Sequence, residues 1–405
     1  MTKEQKQDVD FIDRKNKIEK VEEFLKKYYD FIFSEIVRET FYKMKQETNY
    51  KPFYDEDFGT IFIQLQKRDI NVSESTLDKL ISSQYISKRV NEINEYFTNL
   101  KAVDSENEMK ALSNTLTQIG PDTNETFYIC FRRWLIACYA CAMGYSPNQV
   151  CLVLVGAQGI YKSTWLDNLC PPALKKYGIR TRLDLNPANK DTFNLLAEKF
   201  LINIDDQLAT LFHKDSETIK TYITAPNVSL RKAFARRTTT RPRLANFVAS
   251  VNATNFLSDT ENRRYLVSEV SMCDTNTKID MDRVWAEVKF LYEVKKEQSY
   301  FNADEVYHQK CVNDHYVELT QEEEWLRQMY RIPESEHDKK ILTYRNATEL
   351  MKEVNHIANE KLNFNKLIRA IKRIGFVKKS VRKDGIPCKK YEMVKLSEYV
   401  EQSPF

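Results

Sequence analysis

Apolar residues recur at helical spacing through Val21–Phe33 (VEEFLKKYYDFIF) and, less cleanly, through Leu77–Ile93, within a stretch dense in Lys and Glu. Tyr50–Asp57 (YKPFYDED) reads as a turn-rich break between them, and Thr115–Glu125, with Gly120-Pro121, as a hinge or domain boundary. A strongly apolar helix is predicted over Phe127–Met143, ended by Gly144 and Pro147. The pattern then changes to four short β-type runs: Val150–Val155 (VCLVLV), Lys199–Ile204 (KFLINI), Phe247–Val251 (FVASV) and Arg264–Val270 (RYLVSEV). Near-continuous apolar strands, separated by stretches long enough for helices, predict a mostly parallel sheet covered on both faces. Beyond Asp280 helical spacing returns over Met281–Lys296 and Asp304–Met329, followed by a polar link from Pro333 to Lys340. Ala347–Lys361 and Phe364–Ile374 read as helices, and Phe376–Ser380 and Lys390–Leu396 as strands around Asp384-Gly385, the order of a winged helix-turn-helix. The predicted architecture is therefore α/β. A helical N-terminal domain occupies residues 1–122 and an α/β domain 123–300, with a helical linker over 301–340 and a basic winged-helix-like domain over 341–405.

Composition narrows the class. With 405 residues, 42% hydrophobic and 30% charged, the chain is long enough for about two to three domains with sizeable cores. Its 62 Lys plus Arg against 58 Asp plus Glu leave a net charge of only +4, so any basic surface is local. The apolar stretch Trp134–Met143 is far short of the ~20 residues of a membrane span, and the N-terminus has no apolar signal core, which predicts a soluble cytoplasmic protein without a membrane partner. Eight cysteines are too few for a disulfide scaffold, and Cys138-Tyr-Ala-Cys141 lies on the apolar helix with no second pair or His cluster to complete a zinc site. No structural metal is expected.

Glycine is scarce, only 8 residues, yet two of them sit three apart directly after the VCLVLV run. Gly156-Ala157-Gln158-Gly159-Ile160-Tyr161-Lys162-Ser163-Thr164 has the order strand, glycine loop, Lys-Ser, helix that cradles phosphates. In such a loop main-chain N–H groups point inward, Lys162 neutralises β/γ-phosphates and the Ser163 hydroxyl ligates Mg²⁺. The pattern is GxxxxGK[ST] with one departure: Tyr161 replaces the second glycine, where a side chain crowds the backbone approach to the phosphates. Fifty residues on, the KFLINI strand ends in Asp205-Asp206. One carboxylate of such a pair holds Mg²⁺ and the other orients the attacking water; Asp205 is assigned to the metal and Asp206 to the water, or the two exchange roles. The FVASV strand runs into Asn252-Ala253-Thr254-Asn255, with Asn255 the candidate to bond both the lytic water and the γ-phosphate, and Thr254 next. Arg263-Arg264 follow. An arginine beside a γ-phosphate stabilises transition-state charge, and in ring ATPases the adjacent subunit supplies it.

Two stretches carry the local basic excess. Ser229–Arg243 has six Arg or Lys and no acid, with Phe234 and threonines interleaved, which suits a grip on a nucleic-acid strand through Arg231, Lys232, Arg236 and Arg237. From Asn365 to Lys395 there are eleven Lys or Arg against two acids, with Lys372, Arg373, Lys378 and Lys379 as the candidate DNA contacts. A winged helix also serves as a protein-docking module.

The order of glycine loop, acidic pair, basic segment, Asn-tipped strand and Arg pair resembles the superfamily-3 helicase ATPases. The closer match is to the virulence-associated protein E family of phages, plasmids and integrative elements. GAQGIYKST resembles that family's GxQGxGKST, FRRWLIACYA its Trp-containing helix, and Pro242–Tyr265 its run from PR through TTN to NRRF. The match is specific over about residues 125–270. It departs by losing glycine at Tyr161 and Glu261. The resemblance implies an AAA+-like P-loop core, ATP and Mg²⁺ as cofactors, and a helicase-like ATPase of replication. It further implies action on single-stranded DNA as a homo-oligomeric, hexameric ring, alongside a primase or other replication protein. Many relatives carry an upstream primase module, for which these residues offer no acidic triad. The rival readings are a non-hydrolysing DNA-binding factor, motivated by Tyr161, and a small-molecule kinase, which needs neither the basic stretches nor a winged helix.

Overall fold

The structure, a computed structural model, describes residues 17–181, 190–205, 221–230, 239–252, 256–257, 263–317, 319–334, 337–383 and 386–396. They form two compact units that divide between Tyr316 and Val317. The first opens with a helix over 17–28 (α1), strands Tyr29–Ser34 (β1), Glu39–Met44 (β2) and Lys51–Pro52 (β3), helices Asp55–Gln66 (α2) and Glu74–Ile81 (α3), and strand Ser87–Val90 (β4). These strands form a sheet in the order β3-β2-β1-β4, with β1 antiparallel to β2 and parallel to β4. The purely helical N-terminal domain expected from the sequence is thus corrected. The run VEEFLKKYYDFIF is half helix and half strand, because from Tyr29 onward the apolar residues alternate: Tyr29 and Phe31 turn inward and Asp30 does not. Tyr29, Phe31 and Tyr42 meet Phe24, Ile61, Leu65, Leu77 and Ile81 in a core of their own.

The central body follows: helices Glu92–Asn99 (α4) and Asn107–Asn114 (α5), strand Leu116–Ile119 (β5), helix Asn124–Ala142 (α6), strand Cys151–Val155 (β6) and helix Lys162–Asn168 (α7). Next come strand Gly178–Arg180 (β7), helix Lys190–Glu198 (α8), strand Leu201–Asp205 (β8), a helical segment over 221–224 (α9), and strands Asn227–Leu230 (β9), Thr239–Pro242 (β10), Asn246–Val251 (β11) and Tyr265–Cys273 (β12). Helices Met281–Glu293 (α10) and Ala303–Asn313 (α11) close it. Six strands form one sheet in the order β5-β12-β6-β11-β8-β7, parallel except for the antiparallel edge strand β5. All four predicted runs are there. Strands β6 and β11 are buried along their whole length, which is why they read as unbroken apolar segments rather than alternating ones.

Helix α6 forms the spine of this core. Phe127, Phe131 and Trp134 stack in succession, and each contributes roughly 2–3 kcal/mol by its burial. Arg132 and Arg133 on the same helix hold Glu106 and Glu297, and Glu305, respectively. Met109, Leu112 and Leu116 belong to the same core as α6. The expected boundary near 122 therefore falls inside the sheet-bearing body rather than at its edge. Cys138 and Cys141 are buried free thiols, and among the described residues no cluster of three or more His, Cys, Asp or Glu is arranged for a metal.

The second unit contains helix Gln321–Met329 (α12), strands Tyr330–Arg331 (β13) and Leu342–Arg345 (β14), helices Ala347–Ala358 (α13) and Phe364–Ile374 (α14), and strands Val377–Lys383 (β15) and Ile386–Lys395 (β16). Two helices followed by an antiparallel hairpin match the predicted order, and β16 also pairs with β13 and β14. The expected single helix Asp304–Met329 is two helices, α11 in the first unit and α12 in the second, so no separate helical linker exists among the described residues. The Asp384-Gly385 turn lies outside the described residues. No described helix is long and apolar enough to cross a membrane.

Candidate functional site

In the central sheet β11 separates β6 from β8, and the carboxyl ends of the three strands lie side by side: Val251 pairs with Val155, and Ser250 with both Leu154 and Asp205. Polar side chains at such strand ends face one crevice, the usual position of ligands in open α/β sheets. The loop Gly156–Tyr161 leaves β6 here and turns into α7. Gly156 is required by space, since a Cβ would lie 2.3 Å from the Val270 carbonyl oxygen. Gly159 has open space around it but a φ of +88°, a left-handed turn that glycine adopts without strain.

Tyr161 answers the question raised by its sequence position. Its backbone takes the left-handed conformation, φ 64° and ψ 22°, that a glycine before the lysine would take, and its side chain is 64% exposed. A non-glycine residue in that conformation carries a strain of about 1–2 kcal/mol. Tyr161 makes no side-chain cap to α7. Thr164 faces solvent on the first turn.

Lys162 is only 5% exposed, and its Nζ donates to the carbonyls of Gly156 (2.8 Å) and Ala157 (2.7 Å) and to Asn252 Oδ1 (3.0 Å). The ammonium is thus anchored inside the loop by oxygens from both ends of the crevice. Beside it, Ser163 Oγ donates to Asp205 Oδ1, Ser250 Oγ donates to the same oxygen at 2.7 Å, and the two hydroxyls are 3.1 Å apart. Burial pushes the Asp205 carboxyl up, but the two hydroxyl donors and the Arg180 and Lys162 charges outweigh it and hold the group below its ordinary value. A hydroxyl and an ionised carboxylate are hard oxygen donors of the kind Mg²⁺ accepts alongside water and phosphate, so Ser163 and Asp205 fit that ion.

Sequence reasoning missed three residues here. Asn252 touches Lys162 at the tip of β11, three positions before the expected Asn255. Ser250 is a buried hydroxyl in an otherwise apolar strand. Arg180, on the three-residue edge strand β7, lies 3.7 Å from Asp205. Asp206, Thr254 and Asn255 lie outside the described residues, as do Arg231, Lys232, Arg236 and Arg237.

Those four cations belong to residues 231–238, which join β9 to β10. The strands are antiparallel, with Leu230 opposite Thr239. The other cations of that basic stretch are structural. Arg241 Nη2 donates to the carbonyls of Glu35, Ile36 and Ala197. The Arg243 guanidinium, 1% exposed, donates to the carbonyls of Ala225 (2.8 Å), Ala245 (2.6 Å) and Asn148 (2.6 Å).

Arg263 and Arg264 sit at the other end of the sheet. Cys151 N donates to Arg264 O, and Tyr265 pairs with Cys151 at the start of β6. The whole of β6 separates them from the glycine loop of the same chain, roughly 16 Å at the rise of an extended strand. Both line a cavity of about 380 Å³ with Asn148, Gln149, Thr224 and Tyr300. Arg264 Nε is buried with no hydrogen-bond partner among the described residues.

In the second unit, Lys372 on α14 and Lys378 and Lys379 on β15 are exposed. Lys378 lies over the Tyr391 ring and Lys379 is 4.0 Å from Glu392. Arg373 is different: it bonds Glu323 (3.2 Å) and the Val317 carbonyl (3.0 Å) and ties α14 to α12, a packing role rather than the expected DNA contact.

A mostly parallel sheet with a glycine loop and convergent polar groups at its carboxyl end is a mixed α/β architecture consistent with a nucleotide-binding fold. Residues 99–318, more than half of the chain, match the virulence-associated protein E-like domain, and the chain belongs to that family. Among solved structures it is similar to the apo NrS-1 C-terminal region, at 13% identity over 92% of this chain and 97% of that one with a TM-score of 0.49. An A-form apo structure of the same region gives 14% identity, the same coverage and a TM-score of 0.49. None of the curated proteins compared with this chain matches it.

Proposed function

We propose that the protein is an ATP- and Mg²⁺-dependent DNA translocase of helicase type, acting as a ring on single-stranded DNA in the replication of a phage or other mobile element. The observation that carries this reading is the Lys162 ammonium lodged inside the 156–161 loop with Ser163 bonded to Asp205 beside it. Triphosphate binding exchanges the loop carbonyls around Nζ for phosphate oxygens, and Asn252 keeps the ammonium aimed into the crevice. Ser163 and Asp205 would hold Mg²⁺, which would supply charge neutralisation to the phosphates. Asp206 orients and deprotonates the attacking water. Asn252 stands in position for the polar contact expected of Asn255.

The arginine pair supports a ring. With the length of β6 between them and the loop of their own chain, roughly 16 Å, neither Arg263 nor Arg264 reaches that chain's γ-phosphate, whereas the exposed Arg263 is placed to face a neighbour's. Residues 231–238, carried between β9 and β10, and the basic face of α14 and β15 are the proposed DNA contacts. ATP hydrolysis by wild type with and without single-stranded DNA, compared with Lys162→Ala, tests the reading. A DNA-stimulated rate that falls at least ~100-fold in the variant is expected, and equal near-zero rates count against an active motor. The strained Tyr161 favours one alternative, a DNA-binding replication factor that does not hydrolyse ATP. It requires salt-sensitive DNA binding that Lys162→Ala leaves unchanged.

A further inference from the structure

The carboxylate assigned to the metal has two oxygens with different surroundings. Oδ1 accepts from Ser163 and Ser250, while Oδ2 faces Nη1 of Arg180 at 3.7 Å. Arg180 is itself fixed: its Nη2 and Nε donate to Asp167 Oδ2 at 2.5 and 3.0 Å. Asp167 is held in turn by Asn203 Nδ2, which donates to its Oδ1 at 2.7 Å and to the Ser163 carbonyl at 3.2 Å. Asn203 and Arg180 pair across β8 and β7, and Asp167 projects from α7 one turn after Ser163. Three elements therefore converge to place one guanidinium on the flank of one carboxylate. An ordinary surface arginine paired with Asp167 alone would need neither the Asn203 clamp nor the approach to Asp205.

We propose that Arg180 is a positioning residue that serves as the resident counter-cation of Asp205, so that the crevice discriminates against a bare divalent ion and accepts one that arrives with nucleotide phosphates. The proposal rests on the reading of Asp205 as the metal-holding carboxylate. The physics is a charge balance. A fixed monocation beside the carboxylate holds its rotamer, yet it repels a free dication entering the same few ångströms. A metal–triphosphate complex is net anionic, so the same guanidinium and the nearby Lys162 attract it. The chain thus keeps its metal ligand aligned without a metal, and the ion alone gains little by binding. Asp167 and Asn203 matter because they keep the guanidinium from swinging into solvent, where side-chain exposure of 42% would otherwise let it go.

The test is Mn²⁺ binding followed by electron paramagnetic resonance on the full chain, with and without a non-hydrolysable ATP analogue, in wild type, Arg180→Met, Arg180→Lys and Arg180→Met/Asp167→Asn. Without nucleotide, Arg180→Met is expected to bind Mn²⁺ about tenfold more tightly than wild type, Arg180→Lys like wild type, and the double variant to keep the gain. With the analogue present, the advantage of Arg180→Met shrinks or reverses. Equal Mn²⁺ affinity of wild type and Arg180→Met without nucleotide overturns the proposal, as does a gain that disappears with Asp167→Asn, which would assign it to a freed Asp167. Adding Asp205→Asn separates this from the underlying reading: if Mn²⁺ binding survives it, Asp205 is not the metal ligand and the site assignment itself fails.

Discussion

The two ends of the central sheet are built on opposite terms. At the carboxyl end the charged groups of the crevice already have partners in their own chain: Lys162 in the loop carbonyls and Asn252, Asp205 in two hydroxyls and Arg180. At the amino end Arg243 is sealed among three carbonyls, but Arg263 faces solvent and Arg264 Nε is buried without a partner among the described residues. One end is a finished cradle and the other an unfinished one. Strand β6 sets the distance between them. In the proposed ring, the amino end of one copy would complete the carboxyl end of another, a heterologous contact of the kind that closes into rings.

Arg243 is where the amino end is most vulnerable. Its guanidinium bonds Ala225, next to the base of the β9–β10 pair, and Asn148, in the wall of the arginine cavity, so it joins the proposed DNA grip to the amino end of the sheet. Arg243→Ala leaves three buried carbonyls without their donor and a cavity besides, and thermal unfolding should report a loss of about 3 kcal/mol or more. A loss below ~1 kcal/mol would mean the two elements are not joined through it.

Tyr161 probes the carboxyl end more gently. Glycine there relieves left-handed strain of about 1–2 kcal/mol and returns part of it as unfolded-chain entropy, for a net stabilisation near 0.5–1 kcal/mol in urea titrations. Raised turnover in the same Tyr161→Gly variant would identify the tyrosine as an attenuator, while lost stability would show that the phenol makes a contact of its own.

Acid should have a weaker effect still. Because the folded Asp205 carboxyl lies below its ordinary value, its contribution is fully present above the unfolded Asp value near 3.8 and is lost as pH falls through the lower folded one. The group is partly exposed, so screening keeps that contribution under ~1 kcal/mol. Urea midpoints of wild type and Asp205→Asn should therefore differ by a constant amount from neutral pH down to about pH 4 and converge below it. A difference that grows on acidification would reverse the sign assigned to this carboxylate.

Much of the site was legible because the physics is local. A scarce glycine pair after a fully buried strand, then Lys-Ser, suits a phosphate loop, and an apolar strand ending in Asp-Asp suits the other wall. What escaped was set by tertiary pairing. The sequence points to Asn255, with Thr254 next, and it is the register of β11 against β6, with Val251 beside Val155, that brings Asn252 to Lys162. Ser250 hides in an apolar run. Arg180 lies on a strand of three residues whose existence depends on β8 offering an edge. The N-terminal sheet was missed because its aromatics satisfy a helical and an alternating pattern at once until packing chooses between them.

Mixing two inactive proteins gives the sharpest test of a site shared between neighbouring copies. Lys162→Ala keeps its arginines, and Arg263→Ala/Arg264→Ala keeps its loop. Combined in equal amounts with single-stranded DNA, they should hydrolyse ATP at a rate well above the sum of the two alone, because every contact of an intact loop with a neighbour's intact arginines is restored. A mixture no faster than that sum, from variants that each remain folded and assembled, would mean that the amino end of one copy does not complete the cradle of the next.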